Sequence, residues 1–488
     1  MAGRAESVYA RLPVWAQHVA VTTYGLWWKR LRFGGGFEAH CRTFRERESW
    51  TETDWSTWRT ERLRAVLRHA AKSVPHYRDT WGEEAKGAAQ EGVLEGIPLL
   101  EKDPVRADAG CLVDPAARDG RPLTFYTSGS TGTPIASLWT RDELRASMAV
   151  REVRSAGWAG VSFTKPRATF SGRISVPDPN SPGPFHRLNR AERQIYFSPF
   201  HLGPRTARQY VEALRKHRIE WLTGYAVSFH LLAQFMLEQN IEPPPQLRAV
   251  ITTSEKLTPT MRETMTRAYG CQVFEEYSTV ENVLFASECE HGSLHVSPDI
   301  GIVEILDEKG TPCPPGVVGE VVATQTFRRL QPFVRFRLGD LASWSDEVCR
   351  CGRAMPVLAG VDGRVEDVVI GLDGRRLVRF HGIFIDLEGV REGQVVQERR
   401  DAIRLRLVPD TGFGEPSVSD RRGEVEQIVR KRFEQRLGAE MQIDIEWVDS
   451  IERTAAGKFR AVISKLADDA ARPPQRPTDH PNESGSSS

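Results

Sequence analysis

The chain has 488 residues, which at roughly 150 residues per folding unit is enough for more than one domain. With 40% hydrophobic and 27% charged residues it has the makeup of a globular protein and is too apolar to stay disordered. Its 66 Lys and Arg against 65 Asp and Glu leave a formal charge of +1, so no overall field gathers nucleic acid or anionic lipid, and only local basic patches remain as routes to either. The 7 cysteines are scattered and odd in number, which argues against a disulfide framework and for a reducing compartment. The apolar run Val19 to Trp28 is broken by Thr22, Thr23 and Tyr24, is too short to span a bilayer and lacks a small-residue cleavage site. Neither a leader nor a membrane span is expected, and the predicted location is cytoplasmic.

In chain order, residues 1–120 are predicted to be mainly helical: Leu63, Val66, Leu67 and Ala70 recur at the i, i+3, i+4, i+7 spacing of one helix face. Trp15, Trp27, Trp28, Trp50, Trp55 and Trp58 crowd this part and are expected to pack its helices together. From about 120 to 365, short apolar strands such as Leu123 to Tyr126 and Arg248 to Ser254 alternate with amphipathic helices such as Thr206 to His217. That alternation predicts a layered α/β core with a mainly parallel sheet. Residues 366–466 read as a smaller α+β unit, with strands at Val368 to Ile370, Ile403 to Leu407 and Ile443 to Trp447 around a helix from Glu424 to Arg436. The Pro-, Asp-, Asn- and Ser-rich segment 467–488 is expected to be a disordered tail. The predicted fold class is thus α/β, a large multi-layer domain over 1–365 with a helical N-terminal part and a small C-terminal domain over 366–466.

The strand at Leu123 runs directly into Thr127, Ser128, Gly129, Ser130, Thr131, Gly132 and Thr133, followed by Pro134. Two glycines let the backbone turn its N–H groups toward one point while five hydroxyls add donors, which together make an anion-binding nest. It is not a Walker A loop, since no Gly-Lys-Ser/Thr follows at the required spacing.

This string resembles the phosphate-binding signature of the adenylate-forming superfamily, the acyl-CoA synthetases and peptide-synthetase adenylation domains. Three further strings stand in that family's order. Glu276-Tyr277-Ser278-Thr279-Val280-Glu281 resembles the adenine and magnesium motif, Arg335-Phe336-Arg337-Leu338-Gly339-Asp340 the ribose motif, and Glu452-Arg453-Thr454-Ala455-Ala456-Gly457-Lys458 the catalytic-lysine loop. Within the superfamily the chain is most similar to the phenylacetate-CoA ligase group and its CapK-like branch. Leu12-Pro13, Val74 to Tyr77, Pro184 to Asn189 and Cys349 to Arg353 carry that likeness.

The resemblance implies ATP-dependent activation of a carboxylic acid to an acyl-adenylate, with release of pyrophosphate, followed by transfer to the thiol of CoA. It assigns the phosphates to the Thr127–Thr133 loop and Mg²⁺ to Glu281, an oxygen ligand of the kind that ion prefers. Tyr277 would stack on adenine among Ser254, Glu255, Glu276, Ser278 and Thr279, and Asp340 would take the ribose hydroxyls, reinforced by Arg364. Lys458 would bring a mobile positive charge to the attacking carboxylate and α-phosphate. His201, after Phe200, resembles the aromatic/His motif beside the carboxylate pocket. Glu366 falls at the hinge about which the small domain would move as a lid. Two positions depart from the family pattern, which usually reads Tyr-Gly-x-Thr-Glu: Ser278 and Val280 stand in the Gly and Thr places. Ile135 also stands where a Lys often follows the loop's Pro.

Cys289, His295, Cys349 and Cys351, with His291 in reserve, offer the four thiolate or imidazole ligands of a closed structural zinc site, and a similar pattern occurs in some phenylacetate-CoA ligase-like proteins. Two other readings share the same motifs. One is adenylation followed by transfer to an amine, a carrier protein or another nucleophile in polysaccharide or secondary-metabolite synthesis, and the other is a catalytically silent nucleotide-binding accessory protein. Members of the family are often homodimers, which leaves a homodimer open here, and no nucleic-acid partner is expected.

Overall fold

The computed structural model describes residues 8–118, 120–127, 134–178, 180–307, 309–362, 369–372, 376–377, 381–384, 387, 389–409, 419–449, 451, 462–464 and 466. Ser128, Gly129, Ser130, Thr131, Gly132, Thr133, Arg364, Glu366, Lys458 and the segment 467–488 lie outside the described residues.

Three long helices open the fold: α1 (Val14–Phe33), α2 (Phe37–Glu46) and α3 (Glu52–Ser73). A capping box starts α3, in which Thr51 Oγ1 accepts from the Asp54 N–H at 3.2 Å and Asp54 Oδ2 accepts from the Thr51 N–H at 2.9 Å. Leu63, Val66, Leu67 and Ala70 are buried on one face of α3, as their spacing predicts. Trp50, Trp55 and Trp58 meet one another at ring separations of 4.8–6.3 Å. The expectation that all six tryptophans pack helices together is corrected for two of them: Trp15 is 70% exposed and Trp27 53%. The cause is the seat of α1, which turns its opposite face inward, so that Thr22 Oγ1 donates to the Leu188 carbonyl at 3.2 Å and His18 Nδ1 accepts from the Leu188 N–H at 2.9 Å.

A two-stranded hairpin, β1 (Leu123–Tyr126) with β2 (Ala136–Trp139), precedes the main sheet. That sheet holds β3 (Arg167–Phe170), β4 (His186–Asn189), β5 (Gln194–Phe197), β6 (Trp221–Tyr225), β7 (Ala249–Thr253), β8 (Gln272–Ser278), β9 (Phe285–Glu288), β10 (Leu294–Val296), β11 (Gly301–Leu306), β12 (Gly319–Gln325), β13 (Phe336–Trp344) and β14 (Val357–Asp362). Its order is β11-β12-β13-β14-β10-β9-β8-β7-β6-β3-β5-β4. Helices α4 (Arg141–Val150), α5 (Ala207–Lys216), α6 (Ala226–Glu238) and α7 (Pro259–Tyr269) accompany it. Strands β5, β3, β6, β7 and β8 run parallel, with near-continuous burial in β7, as expected where helices cover both faces. The other half, from β9 to β14, is antiparallel, which corrects the expectation of a mainly parallel sheet. Between β9 and β10 the connection is too short for anything else: a parallel pair needs a crossover of a dozen or more residues, and only residues 289–293 separate them.

The C-terminal part has a small hairpin, β15 (Val369–Ile370) with β16 (Arg376–Leu377), and a four-stranded sheet. The latter is ordered β19-β18-β17-β20, from β17 (Val390–Arg399), β18 (Ala402–Pro409), β19 (Gln442–Trp447) and β20 (Val462–Ser464). Helix α8 (Ser419–Leu437) sets Val425, Val429, Phe433 and Leu437 against Leu405, Leu407 and Ile443 of this sheet. The sequence pattern finds α8, β18 and β19. It misses β17, because the Glu, Gln and Arg residues interleaved with its valines hide the alternation.

After α4 the chain continues as an irregular helical turn, Arg151–Ala156, anchored by a buried ion pair. Arg154 donates to Asp299 Oδ1 at 2.5 Å and Oδ2 at 3.0 Å, and Arg47 reaches Oδ2 at 3.2 Å. Both partners of the inner pair are fully buried. Removing Arg154 strands a carboxylate in the interior, so Arg154→Ala is expected to lower the unfolding free energy by about 3 kcal/mol. The partly exposed Arg47→Ala should cost about 1 kcal/mol or less. Chemical denaturation of the two variants measures both.

Candidate functional site

Strands β7 and β8 are adjacent and parallel, with Thr253 opposite Glu276, so the residues past their ends share one edge of the sheet. In open α/β sheets ligands gather in the crevice at the carboxyl ends of such strands. Ser254, directly after β7, holds a left-handed φ of 72°, as do the non-glycine residues Asn282 at 52° and Arg335 at 46°. Backbone strain of this kind collects at ligand sites.

Alternation along β8 sends Glu276 and Ser278 to one side and Tyr277 to the other. On the first side, the Arg151 guanidinium pairs with the Glu276 carboxylate and donates to Ser278 Oγ at 2.8 Å. On the second, the Tyr277 hydroxyl donates to Asp340 Oδ2 at 2.9 Å. That bond joins two motifs 63 residues apart. Asp340 is set on β13 by Gly339, with φ 75°, and by Arg335. Arg335 donates to the Glu304 carboxylate at 3.0 and 2.8 Å and to the Ile97 carbonyl at 2.7 Å.

Glu281 is buried, and burial pushes its carboxyl above the usual range against the opposing pull of Lys102, Arg328 and a hydrogen bond from Thr279. A desolvated carboxylate gains most from a cation, so this oxygen donor fits Mg²⁺. The Glu281 carbonyl accepts from Gln325 Nε2 at 2.6 Å and from Arg328 Nη1 at 2.8 Å. Arg328 also donates to Ser137 Oγ at 3.0 Å and to the Leu138 carbonyl of β2, and lies over the Trp139 ring at 4.1 Å. This fixes the β1–β2 hairpin beside Glu281. The hairpin's neck is closed by the Thr127 N–H to the Ile135 carbonyl at 3.0 Å and by the Ile135 N–H to Thr127 Oγ1 at 2.9 Å. Residues 128–134 connect these two positions.

His201 is buried, and both ring nitrogens are engaged. Nε2 lies 2.8 Å from the Asp178 carbonyl, which has no proton to give, so Nε2 donates and Nδ1 accepts from Ser198 Oγ at 2.7 Å. The adjoining Phe200 ring lies 5.0 Å under Arg436 of α8, which ties the small sheet's helix to this corner.

Sequence reasoning misses Arg328, Arg151 and Lys102, whose Nζ donates to the Leu338 carbonyl at 2.5 Å. Each stands outside the signature strings, and a single Arg or Lys among 66 carries no local signal.

A second cluster lies across β9, β10 and the β13–β14 connection. The donor atoms of Cys289, His295, Cys349 and Cys351 all lie within 4.8 Å of one another. Cys289 Sγ is 3.6 Å from Cys349 Sγ, and Cys351 Sγ is 3.3 Å from His295 Nε2. His295 Nδ1 is 3.2 Å from the Met355 carbonyl, which leaves Nε2 as the ring's lone-pair side facing the sulfurs. Among the described residues His291 is not in the group; its N–H donates to Cys289 Sγ at 3.4 Å. Burial pushes the Cys289 thiol up to about 11. Three thiols and one imidazole turned inward, with no carboxylate among them, form a donor set that fits zinc.

Residues 373–465 match the family model described as the CapK C-terminal domain. The protein CapK of Staphylococcus aureus is 22% identical over 382 residues, covering 76% of this chain and 80% of CapK. The phenylacetate-coenzyme A ligase of Thermus thermophilus is 24% identical over 326 residues, covering 64% and 70%. Among solved structures, 2-hydroxyisobutyryl-CoA ligase in the postadenylation state, in complex with an acyl-AMP, aligns over 87% of this chain and 92% of its own at 22% identity and a TM-score of 0.54. This likeness shows the mixed α/β fold of adenylate-forming ligases, with the C-terminal domain present.

Glu281 gives the site a pH signature. A carboxyl whose folded pKa is raised destabilises the fold once pH exceeds its unfolded value near 4.5, because the folded state then holds an anion it solvates poorly. Glu281→Gln is therefore expected to raise the melting temperature of the ligand-free protein by about 1–2 °C at pH 8. The gain should vanish below about pH 4.5. Differential scanning calorimetry across this range checks it.

Proposed function

Because the chain belongs to the adenylate-forming superfamily, with CapK and the phenylacetate-CoA ligases among its relatives, we propose that it is an ATP-dependent acid ligase that makes an acyl-adenylate and passes the acyl group to CoA. The Tyr277–Asp340 hydrogen bond supports this reading: it joins the two strings that resemble the adenine and ribose motifs. An adenosine there would lie against the Tyr277 ring with its ribose hydroxyls on Asp340, and its phosphates would be taken by the segment 127–133.

In the first step a carboxylate oxygen of the acid attacks the α-phosphorus, the bond to pyrophosphate breaks, and acyl-AMP forms. Two anions must approach each other, so most of the catalytic effect is charge compensation. Lys458 supplies the mobile charge, the hydroxyl-lined turn holds the departing phosphates, and Arg328 keeps that turn's hairpin fixed against Glu281. Glu281 would hold Mg²⁺, which when bound neutralises phosphate charge. His201, with both nitrogens committed, serves as a wall of the acid pocket with Phe200 and not as a proton carrier. In the second step the CoA sulfur attacks the acyl carbon and AMP leaves with the electron pair. CoA as acceptor rests on the phenylacetate-CoA ligase relatives. The small domain at 366–466, turning about Glu366, would withdraw Lys458 and admit the thiol.

Zinc is proposed as structural at Cys289, His295, Cys349 and Cys351: four protein ligands leave no open position for chemistry.

ATP–pyrophosphate exchange over a panel of aryl and aliphatic acids tests the first step. Exchange with at least one acid, reduced about 100-fold or more in Lys458→Ala, is expected. No exchange with any acid would make the protein a nucleotide-binding accessory instead. Thioester formation on adding CoA tests the acceptor. Separately, metal analysis of the purified protein should give one zinc per chain, lost in Cys349→Ser together with several degrees of melting temperature. Metal-free wild type of unchanged stability would remove the zinc assignment.

A further inference from the structure

Helix α1 seats Gln17, His18 and Thr22 on its inner side and leaves apolar residues outside. Its inner face lies on β4, and the approach is so close that a Cβ on Gly25 would fall 2.2–2.5 Å from the Asn189 side chain. The helix cannot roll over to hide its other side. That outer side carries Trp15, Val19 and Leu26, spaced i, i+4 and i+11 on one face, flanked by Trp27; Val19 is 57% exposed and Leu26 59%. A surface helix of a protein in water places polar residues there.

The charged residues of α1 itself are all cationic. The chain has 65 acids in 488 residues, yet none in the thirty from Val8 to Phe37. Arg11, Lys29 and Arg30 are exposed on or beside α1. Along its flank runs the turn after β4, held by the Arg190 N–H to Thr22 Oγ1 at 3.2 Å and by Lys29 Nζ to the Ala191 carbonyl at 3.0 Å. That turn exposes Arg190 and Arg193, while its one acid, Glu192, points inward and pairs with Arg32. Two copies meeting through this face would set its cationic rim against itself, since a two-fold interface presents one patch to its own image.

We propose that α1 lies on the surface of an anionic phospholipid bilayer. Trp15, Val19, Leu26 and Trp27 enter the boundary between headgroups and acyl chains, and Lys29, Arg30, Arg190 and Arg193 face lipid phosphates. Tryptophan suits this depth because its ring is apolar and its N–H polar. The helix is an interfacial anchor and not a span; among the described residues no helix is long and apolar enough to cross a membrane. The seat is close to the β1–β2 hairpin: the Trp28 ring lies 6.0 Å from Phe125 of β1.

Co-sedimentation of the full chain with phosphatidylcholine vesicles, with and without phosphatidylglycerol, tests this, alongside sedimentation velocity for the oligomeric state. Binding to the phosphatidylglycerol vesicles, weakened by added salt, is expected to fall about tenfold or more in Trp15→Glu/Leu26→Glu, with melting temperature unchanged. Arg30→Glu should weaken binding less and flatten its salt dependence. Failure of the wild type to bind phosphatidylglycerol vesicles overturns the proposal. So does a wild-type dimer that Trp15→Glu/Leu26→Glu converts to monomer, because the face then belongs to a second copy.

Discussion

One fully buried guanidinium organises the site. Arg328 has no access to water, and burial pushes it down to about 10. A cation in that position is tolerable only if acceptors converge on it. They come from separate segments: Ser137 and the Leu138 carbonyl on β2, the Glu281 carbonyl after β8, and the Glu143 carboxylate of α4 at 3.8 Å. Glu143 in turn accepts from the Arg329 and Leu330 N–H groups and caps α4 through the Thr140 N–H. No member can move without leaving a buried charge or dipole unanswered. The hairpin that flanks the hydroxyl-rich segment is consequently held in register with Glu281 by electrostatic necessity, with little help from its own two short strands.

The Tyr277–Asp340 side of the crevice is held differently, by strain and its counterweights. Ser254, Asn282 and Arg335 each occupy left-handed backbone that costs of order 1 kcal/mol or more for a side-chain-bearing residue. For Arg335 the restraint is visible: a two-oxygen grip by Glu304 and two backbone carbonyls at the N-terminal part of the fold. The bend it stabilises carries β13 so that Asp340, five residues on, meets the Tyr277 hydroxyl. Geometry made in this way is preorganised, and binding need not supply the energy to create it.

Much of this was legible in the chain because local rules and the fold agree. Leu123 to Tyr126, the face of α3 and the helix at Ala207–Lys216 follow from periodicity alone, since each buries one face. The signature strings place Tyr277, Asp340 and Glu281 near one another because they are short and ordered. What could not be read were the long-range partners. Arg151, Lys102 and Arg328 act across separations of 125 to 190 residues or more, and no spacing rule encodes a contact made by topology. The hydrophobic pattern also misjudges α1: Trp15 and Trp27 look like core from their chemistry, and only the seat of the helix on β4 reveals which face is left outside. The antiparallel half of the sheet was obscured in the same way, because a buried strand reads alike whichever way its neighbour runs.

The Cys/His cluster answers a weakness of that antiparallel half. Where β13 passes to β14, the local core is small: Trp55, Trp158, Cys289 and Met355 are its buried members. The remaining ties are peripheral. Arg353 covers the Trp158 ring at 4.5 Å and pairs with Glu290 at 2.9 Å, and the Trp158 indole donates to Glu48 at 2.7 Å. Such contacts orient a connection but give little stability, because exposed ion pairs contribute about 1 kcal/mol at most. Four ligands from β9, β10 and the connecting loop, closed on one ion, would cross-link all three segments at once. That requirement is structural and separate from the crevice: β9 and β10 stand directly between β8, which bears Tyr277, and β14, which supports the strand of Asp340. A loose corner there would relax the two strands that carry the Tyr277–Asp340 hydrogen bond, so the proposed metal would hold the frame of that pair without touching it.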